Sequence, residues 1–365
     1  MKLLLFEFKK MIRTKTVLYF MLLSVIFIVA IFLRNVVQQD MIPLKKAAYF
    51  WDFATDVSMQ NNTDRRMLEK VEDEALEEKL VVGQQLHGLL RDLIQAIEDG
   101  EWESELTLEN DVYETAMVYQ ARNGQFSLGQ LDMEDTMKIN EALQQANLAK
   151  EDMDLSIQQA VFMKKIHALL FGPIGFLLLL FVTGSVITRE FEENNTRFIY
   201  TLPIQKWKYI FVKFGSVFVV GLLWIGLITG LSYVLPLFTQ QPDGNVFAYP
   251  LLTATGTVIH TGQYLLHSIL LAGGFLLFAV SLFVFIGYFL RRTILTYVTM
   301  FILLIGGWLL TLNGFTHVVN PFLYQQVDKV LISYPQHFPI ALAVLVAGSL
   351  IFLWMTMSSN RKRGI

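Results

Sequence analysis

Apolar residues in this chain gather into six long runs, and polar residues fall between them. The runs cover about 17–37, 166–187, 209–238, 263–290, 294–315 and 338–357. Each has about the 20 residues that a helix needs to cross a hydrocarbon core, or more. No water satisfies the backbone in that core, so a run of this kind must take a form that satisfies its own N–H and C=O groups. The pattern therefore predicts an all-α, polytopic membrane protein with six transmembrane helices.

The stretch between the first two runs, 38–165, has a different pattern. Apolar positions recur there at helical rather than alternating spacing. One long helix is expected over 63–97, with Leu68, Val71, Leu80, Leu86, Leu89, Leu90, Leu93 and Ile97 as its apolar positions and Gly100 as its stop. Further helices are expected over 108–119, ended by Asn123 and Gly124, and over 133–146. A fourth, from about Lys150, is expected to run on into the second span. The prediction is a large helical extracytoplasmic insert between the first and second spans. The remaining pieces are a cytoplasmic loop at 188–208, outer loops at 239–262 and 316–337, and a basic tail at 358–365.

Charge sets the orientation. With the N-terminus inside, the short cytoplasmic pieces hold fifteen Lys and Arg, while the two short outer loops hold Lys329 alone. Such asymmetry places both termini in the cytoplasm. The insert carries 26 Asp and Glu against 13 Lys and Arg, counting Arg34 at its edge. Long translocated segments escape the charge bias, so an acidic insert fits this topology. Its acids, with His87 among them, read as a solvated surface, since no calcium-loop spacing occurs. The first run lacks an obvious small-residue cleavage site and reads as a retained anchor. The N-terminal stretch 1–16 is amphipathic. Leu4, Leu5, Phe8, Met11 and Ile12 form one stripe, and Glu7, Lys9, Lys10 and Arg13 the other. A helix of this kind lies in the membrane interface and favours anionic lipid.

Composition narrows the function. Hydrophobic residues make up 54% of the chain, above the roughly 45–50% of soluble domains. There is no cysteine, which excludes disulfides and thiolate chemistry. No Asp or Glu lies within a span, which argues against an ion-coupled carrier and an intramembrane carboxylate enzyme. His167 and His267, near outer ends of spans, read as packing residues. No Gly-x-x-x-x-Gly-Lys-[Ser/Thr] phosphate loop occurs, and no nucleic-acid partner or metal site is expected.

Two segments carry a family resemblance. The loop after the second span holds Glu190 and Glu193, Thr196, then Leu202-Pro203 and Lys206, with Lys213 opening the third span. It resembles the signature of ABC-2 type transporter permeases, with Asn195 standing where Gly is usual. Asn tolerates left-handed backbone, so the turn can survive. Asn320-Pro321-Phe322-Leu323-Tyr324, after the fifth span, is similar to an Asn-Pro-Phe step of the same permeases. Physically, Asn320 is a helix cap and Pro321 suits a first turn, so a short outer helix is expected over 321–333, at the outer leaflet or dipping into it.

The resemblance is closest to bacterial drug, sodium or antimicrobial-peptide exporter permeases of the plasma membrane. It implies a permease subunit without its own ATPase, with ATP and Mg held by partner ABC ATPase subunits and no cofactor on this chain. It implies that Glu190, Glu193, Thr196, Arg197, Phe198, Leu202, Pro203 and Lys206 form a coupling helix docked on that ATPase. A second permease chain, identical or homologous, would complete the unit. Small-residue steps such as Gly226/Gly230, Gly273-Gly274 and Gly306-Gly307 permit close helix approach, within the bundle or between copies. The alternative is a membrane sensor or regulator whose insert binds a peptide or envelope ligand without bulk transport.

Overall fold

Apolar and acidic stretches of the sequence separate in space into a helical bundle and a helical insert with a core of its own. The structure, a computed structural model, describes residues 2–13, 15–192, 205–239, 241 and 244–362. The chain opens with α1 (Lys2–Arg13). Lys15, in left-handed backbone at φ 58°, turns it into α2 (Thr16–Val37). On α2, Val17, Phe20, Ser24, Ile28, Phe32 and Asn35 are buried at helical spacing. The other side leaves Leu22, Leu23 and Ile26 exposed, as a span with one face on a bundle and one on lipid requires.

Four helices build the insert: α3 (Met41–Leu68), α4 (Glu74–Asp99), α5 (Trp102–Ala121) and α6 (Gln130–Ala146). Phe50, Phe53, Val57, Leu86, Leu90, Leu93, Val112 and Tyr119 pack together in its core. The single helix expected over 63–97 is two, broken at 69–73. Asp73 causes the break, because its side chain accepts the N–H groups of Ala75 (3.0 Å) and Leu76 (3.3 Å) and so starts α4 afresh. Val71, counted in the apolar period, is 64% exposed in the turn. Gly100 ends α4 at φ 73°, a conformation that glycine adopts without steric cost.

The helix expected from Lys150 into the second span also differs. Residues 151–158 are a non-helical strap, α7 (Gln159–Leu170) follows, and α8 (Pro173–Glu192) continues at a bend of 63°. Pro173 lacks an N–H and turns the residue before it away from helix, which breaks the ladder there. The bundle is completed by α9 (Lys206–Val234), α10 (Thr261–Leu290), α11 (Thr293–Leu312) and α13 (Phe338–Lys362). Among the described residues, five helices are long and apolar enough to cross a membrane, and the bent pair makes six if it is one span. The central helix is α10, with Leu271, Ala272, Phe275, Ala279, Phe283 and Val284 all buried.

Two connections depart from plain loops or single helices. Residues 250–260 hold a small antiparallel hairpin, β1 (Pro250–Leu252) and β2 (Val258–His260), with Leu251 opposite Ile259. The helix expected over 321–333 is a 3-10 turn, Pro321–Gln325, then α12 (Val327–Ser333), with a break at Gln326. Its apolar face meets protein: Leu323, Val327, Val330 and Leu331 are buried against the bundle. Gln325 donates to the carbonyl of Leu304, about two turns from the end of α11 (3.1 Å), so the segment packs into that end of the bundle. The break at Gln326 lets both pieces keep their apolar sides on α10.

Of the small-residue steps, Gly307 meets a neighbour at closest range. A Cβ there would stand 2.5 Å from the Phe322 ring, whereas at Gly306 it would meet nothing within 4 Å. Gly226 and Gly230 likewise have no neighbour within that distance, so they bring no helices of this chain together. Gly307→Ala is expected to lower stability by about 1–3 kcal/mol through overpacking, with Gly306→Ala near neutral. Thermal unfolding of the two variants in detergent checks this.

Candidate functional site

One corner at an end of the bundle is built by α1, α2 and the first turns of α9. On α1 the positions 4, 7, 8 and 11 share one face, and on α9 the positions 210, 213, 214 and 217 do. Each face has a charge at its second position. Glu7 is 3% exposed and Lys213 is 1% exposed, and their charged atoms lie 2.6 Å apart. Ile210, Phe214, Val217 and Met11 are buried around them. The Tyr209 ring lies 5.4 Å from the Lys213 ammonium, a cation–π distance. In an apolar setting each charge needs a counter-charge, so the pair ties α1 to α9. The sequence reading put Glu7 on the polar stripe; the structure turns it inward. The signal was present, since residue 7 completes the i, i+3, i+4, i+7 set with Leu4, Phe8 and Met11.

The other predicted residues fall as follows. Phe8 is half-buried against the bundle, while Lys9, Lys10 and Arg13 are exposed. Glu190 belongs to the last turn of α8, and Lys206 is the first residue of α9. Glu193, Thr196, Arg197, Phe198, Leu202 and Pro203 lie outside the described residues. At the other end of the bundle, the Asn320 side chain accepts the N–H of Phe322 (3.1 Å), capping the turn that Pro321 opens. Phe322 fills the space over Gly307, and buried Tyr324 donates to the carbonyl of Val318.

Sequence reasoning missed two polar groupings that tie the bundle together. Asp328 accepts from the Tyr264 hydroxyl (2.8 Å) and lies 3.5 Å from Lys164, joining α12, α10 and α7. Deeper in, His167 is fully buried. Its Nδ1 lies 2.7 Å from the Ser268 hydroxyl, and its Nε2 lies 3.1 Å from that of Thr229. Ser268 gives its own proton to the carbonyl of Leu265, so Nδ1 carries the ring hydrogen and Nε2 accepts from Thr229. With both nitrogens engaged by hydroxyls, His167 acts as a packing residue. No periodic pattern announces such contacts, because their partners are distant in sequence.

The insert is fastened to the bundle through the strap at 151–158. Asn35 donates to the carbonyl of Ser156 (3.0 Å), Gln39 to that of Leu155 (2.6 Å), and Gln159 to that of Tyr233 (2.9 Å). The backbone N–H of Glu151 donates to the Tyr249 hydroxyl beside the hairpin (3.2 Å). The hairpin in turn is bound to α12, since the N–H of Ala254 donates to the carbonyl of Ile332 (2.8 Å). Inside the insert's base, buried Glu109 is held by Lys150 (2.6 Å), Tyr113 (2.9 Å) and Asn140 (3.0 Å), and Lys46 pairs with Glu105 (2.8 Å). Burial raises the carboxyl pKa of Glu151 above its ordinary value, against the lowering effect of the Ser156 hydroxyl and Lys46.

Several apolar helices around a shared core, with polar groups paired inside, define a multi-pass membrane protein. The family follows from the sequence profile described as ABC-2 family transporter protein, which matches residues 1–350. The chain belongs to that family and is a membrane component of a transport system. No curated protein and no solved structure matches it.

Removing one member of the buried pair, as in Glu7→Leu or Lys213→Met, is expected to cost about 3–5 kcal/mol. The double variant Glu7→Leu/Lys213→Met recovers most of that loss. A double-mutant cycle by thermal unfolding in detergent reads both. At Glu151 the folded-state pKa is raised, so the favourable contribution of the protonated form is complete below the unfolded pKa. It is lost as pH rises through the folded one. Glu151→Gln is therefore expected to be more stable than the parent at pH 8, with the difference vanishing toward pH 4. Unfolding midpoints across that range check it.

Proposed function

We infer that the chain is the permease subunit of an exporter in the bacterial plasma membrane, driven by ATP hydrolysed on separate ABC ATPase subunits. Both termini lie in the cytoplasm, and the acidic insert lies outside. The coupling surface is Glu190, Glu193, Thr196, Arg197, Phe198, Leu202, Pro203 and Lys206, and a second permease chain completes the translocation unit. The cargo class is amphipathic or hydrophobic, because the spans hold no carboxylate for coordinating ions.

The observation that carries this reading is the family match over 1–350, together with the corner of α1, α2 and α9. The segment 193–204 starts from the end of α8 and leads into α9, and α9 is locked to α1 by Glu7 and Lys213 two turns further on. A push delivered to that segment would act directly on α8 and α9 and, through the ion pair, on α1. ATP and Mg are held by the partner, and this chain supplies mechanical rather than chemical work.

The sensor reading is supported by one observation. Three hydrogen bonds, Glu151 to Tyr249, Ala254 to Ile332 and Gln325 to Leu304, lie along one route from the insert past the hairpin and α12 to α11, with the chain itself as the link between them. Such a path serves a relay as well as an exit. Cargo flux in vesicles reconstituted with the ATPase separates the two, since a relay moves none.

Docking is tested by purifying the tagged full chain from its host and identifying the ATPase that accompanies it. Glu190→Lys and Leu202→Asp are each expected to cut its recovery by about tenfold or more, with the chain still folded. Unchanged recovery in both would remove the assigned surface.

A further inference from the structure

The base of the insert holds a cleft that neither the bundle nor the coupling segment uses. The opening turns of α3 and α5 and the start of the strap enclose a volume of about 290 Å³ there. That is close to the lower end of small-molecule sites, roughly 300–1,000 Å³. Six charged side chains line it, Lys45, Lys46 and Lys150 against Glu105, Glu109 and Asp152. Tyr49 and Phe50 supply an apolar wall.

The two signs are not mixed at random. In each buried pair the lysine is the more open member: the side chains of Lys46 and Lys150 are both 24% exposed, against 11% for Glu105 and 4% for Glu109. Lys46 Nζ donates to Glu105 (2.8 Å) and to the carbonyl of Lys150 (2.9 Å), and Lys150 Nζ donates to both oxygens of Glu109 (2.8 and 2.6 Å). An ammonium group has three N–H donors, so each of the two keeps one for a further acceptor. Lys45 is exposed at the rim and has no partner among the described residues. Asp152 supplies the opposite sign. Its Oδ1 accepts the N–H groups of Asp154 (2.7 Å) and Leu155 (2.9 Å), which leaves Oδ2 for a cation.

A simple ion matches half of this surface and is opposed by the other half. An anion reaching the ammonium groups meets three carboxylates nearby, and a cation drawn to Asp152 meets three lysines. A molecule carrying both charges a short distance apart satisfies both through charge-assisted hydrogen bonds. Tyr49, 46% exposed, offers its ring to an apolar part of the same molecule. Glu105 and Glu109 already hold two of the ammonium groups in place, so little side-chain freedom is lost on binding.

We propose that this cleft binds a small zwitterion, its carboxylate or phosphate held by Lys45, Lys46 and Lys150 and its ammonium by Asp152. A free amino acid or dipeptide has that pair of charges, and so does a phosphoethanolamine headgroup; the Tyr49 wall favours an amino acid with an apolar side chain. The inference stands on the cleft alone and is independent of whether the chain exports a cargo or relays a signal.

The purified full chain in detergent is titrated calorimetrically with L-phenylalanine. N-acetyl-L-phenylalanine, which lacks the ammonium, and L-phenylalanine amide, which lacks the carboxylate, are titrated beside it. The zwitterion is expected to bind about tenfold more tightly than either. Lys45→Gln is expected to weaken it about fivefold and Asp152→Asn about tenfold. Both substitutions leave the buried pairs intact, and asparagine keeps an oxygen to accept the strap's N–H groups; thermal unfolding confirms that the variants fold. Lys138→Gln, outside the cleft, leaves binding unchanged. Tighter binding of glycerophosphoethanolamine, lost in the same two variants, would support the zwitterion site and assign it to a lipid headgroup. No saturable binding of either probe, equal binding of the acetyl or amide form, or full affinity in both cleft variants overturns the proposal.

Discussion

Hydrocarbon gives a polar group nothing to bond to, so every polar atom carried into the bundle has to find its partner within the chain. Glu7 and Lys213 meet that demand as a pair, each the other's counter-charge. His167 meets it with two hydroxyls, and the amide N–H of Gln325 with a carbonyl of α11, while Gln325 Oε1 has no partner among the described residues. Ser24, Thr183 and Ser281 turn their hydroxyls back onto their own helices, and Ser24 also accepts from the Trp224 indole. These requirements fix neighbours more tightly than apolar packing does. Leucine tolerates many partners, whereas a buried ammonium accepts very few.

The same demand separates the two halves of the molecule. In the bundle, charge is rare and paired. In the insert, acids cover the outside of a small core of phenylalanine, leucine and valine, and the few that come inward are paired, Glu105 and Glu109 with Lys46 and Lys150 at its base and Asp64 with Lys79. The strap at 151–158 marks the change of environment. Its backbone, free of helix, is fastened by Asn35, Gln39 and Tyr249, which supply the partners a helix would have given itself.

What could be read from the sequence follows the same division. Long apolar runs are strong signals because one solvent dictates them, and the all-helical nature of the chain was legible there. Breaks within helices were harder. Asp73 and Pro173 are local stop signals, yet the apolar period continues past each of them, and period was given more weight. The inward turn of Glu7 was available from its place in the 4, 7, 8, 11 set, but a charge is ordinarily assigned to the wet side. The hairpin at 250–260 is too short to establish an alternating pattern. Partners such as Asp328 with Tyr264, or Gln325 with Leu304, depend on three-dimensional proximity alone. The candidate coupling residues were legible only by resemblance, since neither period nor charge distinguishes their loop from any other membrane-surface loop.

The corner at Pro173 has a mechanical consequence. α8 and α7 meet at 63°, and α7 carries Lys164 and His167, which grip α12, α10 and α9. A bent rod does not transmit thrust straight through. Motion of α8 along its own axis would emerge beyond the elbow largely as a sideways sweep of α7, and the residues it grips would be dragged across the bundle rather than up it. The bent pair is thus shaped as a crank, in which thrust along one arm becomes a sweep of the other.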